Sequence, residues 1–195
     1  MPEMNFVSRF FVNRSASRRA ARFYRWIHEE VPIPANAHCL EIGCGAGSLA
    51  LQFVEGFRPA QYLATDFDSH QVDEARRRVA ARYPSSPPPA LELRQADMLH
   101  LSFGASSFDV VLANVAIHHA GPSHHDFSRI PDALAEFERV LRPGGLLVYG
   151  EILHREPIRA WLTTHGFTIE RIRRGWRRET VAARKAGGAT PGSPS

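Results

Sequence analysis

Short apolar runs alternate along the chain with longer segments in which apolar residues recur every three or four positions. The short runs predict buried strands over residues 37–42, 62–65, 91–94, 108–113 and 146–149. The periodic segments predict amphipathic helices over residues 18–31, 48–57, 69–82, 126–141 and 158–164. Strands that alternate with helices are typical of βαβ units, so we expect an α/β fold with a mostly parallel sheet and helices on both faces.

The last two apolar runs of the chain have a different connection. Residues 167–172 and 176–182 are joined by Arg173-Arg174-Gly175, which is short enough for an antiparallel hairpin. Together with the five earlier runs, this pair predicts a seven-stranded sheet whose C-terminal edge strand is antiparallel.

Length and composition limit the class of protein. The chain has 195 residues, of which 44% are hydrophobic and 23% charged, which excludes collagen-like, fully disordered and disulfide-scaffold proteins. No apolar run approaches the roughly 18–20 residues of a membrane-spanning helix, so we expect no membrane partner. The two cysteines form no CxxC pair, and the first residues do not resemble a signal peptide. We therefore expect free thiols and a cytoplasmic protein.

Positive charge is concentrated near the C-terminal end. The net charge of +4 is small, but eight arginines and Lys185 lie within residues 155–185 against three glutamates. This basic hairpin, with Trp176 among its arginines, raises the possibility of RNA binding through phosphate contacts and stacking. Because no recognisable RNA module accompanies it, we favour charges that face solvent and expect no nucleic-acid partner.

Three glycines at alternate positions follow the first predicted strand. The stretch Glu41-Ile-Gly43-Cys44-Gly45-Ala-Gly47 leads into a helix whose free N–H groups favour a phosphate or another polar ligand. Asp66 lies about 20 residues further on, where a carboxylate can bind a ribose. The spacing therefore indicates a nucleotide-type cofactor, either a dinucleotide such as NAD or S-adenosylmethionine (SAM).

The order of the motifs resembles the class I SAM-dependent methyltransferases. Glu41 stands two residues before Gly43, as in that family's first motif, whereas NAD-binding proteins usually lack an acid there. The stretches that resemble the family's later motifs are residues 65–68, 95–98, 108–119, 140–147 and 166–182. The resemblance covers residues 15–185 and implies a Rossmann-like fold with SAM as the cofactor.

The resemblance also implies a division of the chain. We expect a single methyltransferase domain over residues 1–186, with a helical lid over residues 1–34 and a cofactor-binding core over residues 35–150. Residues 155–185 would form the closing helix and hairpin. Residues 187–195 are rich in glycine, proline and serine, so we expect this tail to be disordered.

One group of residues is assigned by the resemblance to the methionine part of SAM. The group comprises Glu41, Gly43, Cys44, Gly45, Gly47 and Asn114. The glycines would let the backbone lie against the cofactor, with Cys44 as a small residue between them. Glu41 would face the methionine amino group, directly or through water, and the Asn114 backbone would meet the same part of SAM.

A second group would hold the adenosine part. Asp66 would accept hydrogen bonds from both ribose hydroxyls, and Phe67 would pack on the adenine face. Asp97 would accept from the adenine amino group, while the Met98 N–H would donate to the ring. Asp97 is also a common turn-initiating residue after a strand, and the sequence leaves that alternative open.

Two histidines follow the fourth predicted strand, where the family places groups near the transferred methyl. Methyl transfer requires alignment of the acceptor with an activated sulfonium, and a general base only if an acceptor proton must leave. Histidine suits that role, so His118 and His119 are the candidate catalytic residues, with loop packing as the alternative. His124 and His125 follow in the same loop, but the spacing fixes no ligand geometry, and we expect no metal site.

The function implied is methyl transfer from SAM to an oxygen, nitrogen or activated carbon of a small-molecule acceptor. Residues 114–117 lack the Asn-Pro-Pro-Tyr type signature of amide and adenine methyltransferases, which makes RNA methylation less favoured. The alternatives are an NAD-dependent oxidoreductase and a non-catalytic SAM-binding partner protein.

Aromatic residues near the N-terminus would cover the acceptor, or would pack as core. They are Phe6, Phe10, Phe11, Phe23, Tyr24 and Trp26, and for Phe23 the core interpretation is favoured. No large insertion covers the expected pocket, which therefore would be open or completed by a second copy in a homodimer.

Overall fold

A computed structural model describes residues 6–187, with side chains described from residue 16 onward. Its helices are α1 (Phe6–Glu30), α2 (Ser48–Gly56), α3 (Ser69–Arg82), α4 (Ile130–Val140) and α5 (Arg155–Thr164). Its strands are β1 (His38–Ile42), β2 (Gln61–Asp66), β3 (Leu91–Gln95), β4 (Phe108–Asn114), β5 (Leu141–Glu151), β6 (Phe167–Arg174) and β7 (Glu179–Lys185). The side chains of Phe6, Phe10 and Phe11 and the tail beyond Gly187 lie outside the described residues, so the predictions made for them stay predictions.

The seven strands form one sheet in the order β3-β2-β1-β4-β5-β7-β6. The neighbours from β3 to β5 are parallel, while β7 runs antiparallel to both β5 and β6. This confirms the predicted mostly parallel, Rossmann-like sheet with antiparallel pairing at its C-terminal edge. The reversed strand there is β7, which lies between β5 and the edge strand β6. The chain order reverses between β1 and β4, and such a switch point opens a crevice at the carboxyl ends of the strands.

Two hydrophobic clusters cover the two faces of the sheet. One joins β4 and β5 to the buried faces of α4 and α5. The other joins the opposite side of the central strands to α1 and α2. Phe23 and Trp26 are fully buried in this second cluster, so both are core residues rather than an exposed cover. Tyr24 is half-buried and packs edge-on against Phe57.

Several element boundaries differ from the predicted ones for local reasons. Helix α4 begins at Ile130 rather than at residue 126, because Pro131 occupies its first turn and the Asp126 carboxylate caps the turn before it. Strand β5 begins at Leu141 rather than at residue 146. Leu141 pairs with Phe108 and Leu146 with Val110, so residues 142–145 form an irregularity in the pairing of β5 with β4.

The two ends of the chain differ as well. Helix α1 begins at Phe6 rather than at residue 18. In the hairpin, β6 continues to Arg174 and β7 begins only at Glu179, because the turn closes with the Gly175 N–H donating to the Arg178 carbonyl. Among residues 6–187, no helix combines the length and apolar character needed to cross a membrane.

Candidate functional site

The glycine loop between β1 and α2 is held in a conformation that favours glycine. Gly43, Gly45 and Gly47 all have positive φ, at 69°, 53° and 74°. A Cβ on Gly43 would lie 2.6 Å from the Cβ of Ala116, in the segment that follows β4. The loop therefore lies directly against the segment that follows β4, and at Gly43 there is no room for a side chain.

Asp66 joins the end of β2 to this loop. Its Oδ2 accepts from the Gly45 N–H at 2.8 Å, and its Oδ1 accepts from the Asp68 N–H at 3.0 Å. Burial raises the pKa of this carboxyl above its usual range. Each carboxylate oxygen has a further lone pair, so both can still accept from the two hydroxyls of a ribose.

Glu41 is buried beneath the loop, with only 2% of its surface exposed. The Tyr62 hydroxyl donates to Glu41 Oε2 at 2.9 Å, and burial raises the pKa of this carboxyl to about 8. The Asp66 charge adds to that increase. A nearby ammonium such as the methionine amino group would favour the ionised form. Sequence reasoning missed Tyr62, whose only signal is its position on β2, beside Cys39 of β1.

Cys44 is a buried free thiol in the loop. Burial raises its pKa well above the usual value, and the Glu41 and Asp66 carboxylates add to the increase. A thiol in these surroundings stays protonated and is a poor nucleophile. Cys44 therefore acts as a small side chain between two glycines.

The residues assigned to adenine lie at the ends of β2 and β3. The Phe67 side chain is 67% exposed, so one face is free to stack, and Gln95 Nε2 donates to the Phe67 carbonyl at 2.9 Å. Asp97 Oδ1 accepts from the Leu99 N–H at 2.9 Å, so Asp97 does form the turn considered as its alternative role. Met98 is half-buried beside it.

The segment after β4 turns sharply. Val115 has a φ of 60°, which is unusual for a β-branched residue, and its N–H donates to the Gly150 carbonyl at 2.7 Å. Asn114 is half-buried, and its side-chain oxygen accepts from Arg178 Nη2 at 2.5 Å. This turn directs the following 3-10 helix (Ile117–His119) toward the end of β5.

His118 forms a buried pair with Glu151, the last residue of β5. His118 is 3% exposed and Glu151 is fully buried, and His118 Nδ1 lies 2.8 Å from Glu151 Oε2. The other carboxylate oxygen accepts from the Ile117 N–H at 2.8 Å. Because a carboxylate accepts, Nδ1 carries the proton and Nε2 keeps its lone pair in the neutral ring. Sequence reasoning missed Glu151, although its place at the carboxyl end of a central strand was a usable signal.

Two further histidines meet this pair. The ring centroids lie 4.1 Å apart for His118 and His119, 4.5 Å for His119 and His124, and 5.3 Å for His118 and His124. The His119 residue is exposed, but its ring is partly desolvated within the cluster; this desolvation, with the two neighbouring rings, lowers its pKa to about 4, so the ring is neutral near pH 7. The loop therefore brings together three side chains that the sequence spacing left unrelated.

Arg178 is the one arginine of the hairpin turn that points inward. Residues 171–177 are exposed, and Trp176 is 93% exposed. Arg178 instead lies half-buried over the Phe23 ring at 5.5 Å, in space left open by the absence of a side chain at Gly150. Burial lowers the pKa of its guanidinium to about 10, and within the described part of the chain no carboxylate lies within 4.0 Å of it.

Comparison with known proteins gives this site a family. A profile described as "Methyltransferase domain" matches residues 40–149, which is more than half of the chain. The fatty-acid O-methyltransferase of Mycolicibacterium smegmatis is 37% identical over 122 residues, which are 63% of this chain and 39% of that protein. The phthiotriol/phenolphthiotriol dimycocerosates methyltransferase of Mycobacterium tuberculosis is 34% identical over 122 residues, 63% of this chain and 40% of that protein. The chain thus spans about 40% of the length of these curated relatives.

Solved structures show the same fold at low sequence identity. Magnesium protoporphyrin IX methyltransferase from Synechocystis PCC 6803, solved with bound SAM, superposes with a TM-score of 0.69 at 18% identity, over 95% of this chain and 86% of that one. The cyclase SpnF superposes with a TM-score of 0.72 at 18% identity, over 86% of this chain and 81% of that one.

The family match decides between the two cofactors that the glycine loop left open. A methyltransferase profile that covers both the glycine loop and Asp66 favours SAM over NAD. The conformation of the loop and the free lone pairs of Asp66 agree with that choice. The chain belongs to the methyltransferase-domain family of class I SAM-dependent methyltransferases.

Proposed function

We propose that this protein transfers a methyl group from SAM to an oxygen atom of a small, largely apolar molecule. The observation that carries the proposal is the buried pair of His118 and Glu151, which joins the segment after β4 to the end of β5. The same segment contacts the glycine loop through Ala116 and Gly43. The similarity to a fatty-acid O-methyltransferase supports oxygen as the acceptor atom over nitrogen or carbon.

The residues at the strand ends would each bind a different part of SAM. Gly43, Gly45 and Gly47, with Cys44 between them, would hold the methionine part, together with Glu41 and the Asn114 backbone. Asp66 would hold the ribose, and Phe67, Asp97 and Met98 would surround the adenine. In this arrangement the Glu41 carboxylate ionises when the methionine ammonium approaches, because the added positive charge offsets the cost of burying the negative one.

SAM supplies a methyl group on a positively charged sulfonium. With SAM bound, the acceptor oxygen would form a bond to the methyl carbon while the carbon–sulfur bond breaks, and the sulfur would keep the electron pair. When the acceptor is a hydroxyl, its proton passes to His118 Nε2, and Glu151 stabilises the resulting imidazolium. The His119 ring lies 4.1 Å from the His118 ring between centroids, and its pKa of about 4 makes it a weaker proton acceptor, so His118 would be the base.

A carboxylate is the second candidate acceptor, and Arg178 is the observation that favours it. Its half-buried guanidinium lies beside Asn114 and forms no ion pair within 4.0 Å in the described residues, although the more distant Glu151 charge acts on it. An acceptor carboxylate would form that ion pair. A carboxylate is already ionised near pH 7, so its methylation needs no base, and the two acceptor classes therefore depend on different residues.

Titration calorimetry with SAM, and with NAD as a parallel control, tests the cofactor first. We expect micromolar binding of SAM and none of NAD, and Asp66→Ala should weaken SAM binding severely because the ribose loses its acceptor. Unchanged affinity in Asp66→Ala, or binding of NAD in place of SAM, would contradict the assignment of the site.

Transfer assays on long-chain alcohols and fatty acids, run on chelator-treated protein, then test the acceptor. We expect His118→Ala to slow methylation of a hydroxyl by about 100-fold or more while SAM affinity is preserved. Arg178→Met should instead weaken binding of a carboxylate acceptor. His125→Ala, in the same loop and outside the histidine cluster, is the matched control. Equal rates for wild type and His118→Ala on every hydroxyl acceptor would rule out the base.

Other functions remain as outcomes of the same experiments. Similarity to a cyclase shows that this fold is not restricted to methyl transfer. Tight SAM binding with no transfer to any acceptor would favour a non-catalytic SAM-binding partner protein. The choice between an open pocket and a homodimer, the absence of a nucleic-acid partner and the cytoplasmic location stay predictions. Light scattering, RNA titration at two salt concentrations and cell fractionation would check them.

A further inference from the structure

Three imidazoles converge at the end of β4, although they come from different parts of the loop. His118 and His119 belong to the short 3-10 helix, and His124 lies five residues beyond it in an exposed turn. One ring nitrogen from each of the three histidines lies within 4.8 Å of the other two. Such a group offers three imidazole nitrogens as ligands around one small space.

The buried carboxylate behind the cluster fixes the orientation of one ligand. Glu151 accepts from His118 Nδ1 at 2.8 Å and from the Ile117 N–H at 2.8 Å, so both of its oxygens are held. When one ring nitrogen donates its proton to a carboxylate, the other nitrogen carries the lone pair and becomes a better ligand. Metal-binding histidines commonly have this second contact.

The turn that carries His124 is also held in place. The His154 side chain, at the start of α5, lies with its Nε2 3.0 Å from the His124 carbonyl oxygen. The Asp126 N–H closes the same turn on the Ser123 carbonyl at 3.0 Å. The backbone under His124 is therefore positioned, while its exposed side chain is packed only against the other two imidazoles of the cluster among the ring contacts described.

Only a small movement would complete a metal site. A tetrahedral zinc ion with bonds of about 2.0–2.1 Å needs its ligand nitrogens about 3.3 Å apart. From separations of at most 4.8 Å, two exposed side chains must close by about 1.5 Å. Rotation about χ1 and χ2 of His119 and His124 supplies that distance without moving the backbone.

We propose that His118, His119 and His124 bind one divalent transition-metal ion of the zinc class. Imidazole nitrogens favour zinc, cobalt, nickel and copper over magnesium and calcium. Three protein ligands leave a fourth position open for water or another small ligand. The sequence predicted no metal site, because its spacing alone did not show that His124 returns to the pair.

This inference does not rest on the proposed methyl transfer, since ion binding can be measured without SAM or acceptor. The two uses of His118 exclude each other at any instant, because one lone pair cannot hold an ion and take a proton. The metal content of the protein must therefore be fixed before the base is tested.

Metal titration of the full chain, without a polyhistidine tag and after chelator treatment, tests the site. We expect one Co²⁺ per chain with the visible absorption of a tetrahedral complex, and displacement of Co²⁺ by one Zn²⁺. Glu151→Gln should lower the affinity by about 10- to 100-fold through loss of the supporting carboxylate. His124→Ala should abolish the tetrahedral signal. Because the His124 side chain is exposed, this substitution should leave the fold intact, so loss of the signal would report loss of the ligand.

The chain has ten histidines, so a matched control separates this site from scattered binding. His125→Ala removes the exposed neighbour of His124 and should keep both the stoichiometry and the spectrum. Co²⁺ uptake that is the same in wild type and His124→Ala, or an equal loss in His125→Ala, would overturn the proposal. Circular dichroism of each variant confirms that the fold is retained.

Discussion

Glu41 makes a specific prediction about how stability depends on pH. The carboxyl is buried, its Oε2 accepts from Tyr62, and its pKa is raised from an ordinary value of 4.5 to about 8. Replacing it with glutamine keeps an acceptor for the Tyr62 hydroxyl but removes the titration. We therefore compare the pH dependence of unfolding in the wild type and in Glu41→Gln.

The sign follows from linkage between protonation and folding. Because the folded pKa is raised, the folded state holds a proton that the unfolded chain releases above pH 4.5. The stability from the protonated carboxyl is complete below that pH and falls until the folded group also ionises, near pH 8. A difference between 4.5 and about 8 corresponds to about 5 kcal/mol over the whole range, of which about 2 kcal/mol falls between pH 6 and 8.

Urea unfolding at pH 6, 7 and 8, followed by circular dichroism without SAM, measures this slope. The wild type should lose about 2 kcal/mol more than Glu41→Gln between pH 6 and 8. Glu29→Gln, an exposed position at the end of α1, should reproduce the wild-type slope. Parallel curves for wild type and Glu41→Gln would mean that the carboxyl ionises at its ordinary pH in the folded protein, and the argument from burial would be refuted.

Two further variants test the loop and the closing hairpin by urea unfolding. Gly43→Ala should lower the free energy of unfolding by about 2–4 kcal/mol, because the left-handed φ is strained for alanine and its Cβ would clash with Ala116. The same variant should bind SAM more weakly. Unchanged stability would show that the loop is not held as described. Arg159→Met should cost about 2–3 kcal/mol, because it leaves the buried Glu179 carboxylate with only an exposed arginine nearby. Arg155→Met, on the same helix, should cost less than about 0.5 kcal/mol, and an equal loss in both variants would contradict the role of the ion pair.

The fold could be predicted from the sequence because its signals are local. Apolar runs of strand length, helical periodicity and the glycine loop each depend on neighbouring residues, and their alternation indicates a parallel sheet. The predicted ends of helices and strands were less accurate where a proline or an irregular pairing sets the end of the element. Pro131 moves the start of α4, and the irregular pairing at residues 142–145 lets β5 begin earlier than its apolar run suggests.

The candidate site was predicted in part, for the same reason. The glycines, Asp66 and the two histidines stand next to strands that are recognisable in the sequence. Glu151 was missed because it becomes relevant only through His118, about 30 positions away, which the sheet brings close. His124 was considered and set aside, because its spacing did not show that the loop returns it to His118 and His119. Arg178 was treated as one of several solvent-facing arginines, because charge alone does not show that this one turns inward over Phe23.

Hydrophobic periodicity and motif order in the sequence alone determined the α/β class, the seven strands, the antiparallel pairing at the C-terminal edge and the position of the cofactor loop. The tertiary structure alone decided that Glu41 is buried against Tyr62, that Glu151 orients His118, and that three histidines share one space. The physical reason is that periodicity and glycine spacing act over a few residues. Burial, hydrogen bonding and the resulting pKa shifts arise instead between side chains that are distant in sequence and meet only when the sheet has formed.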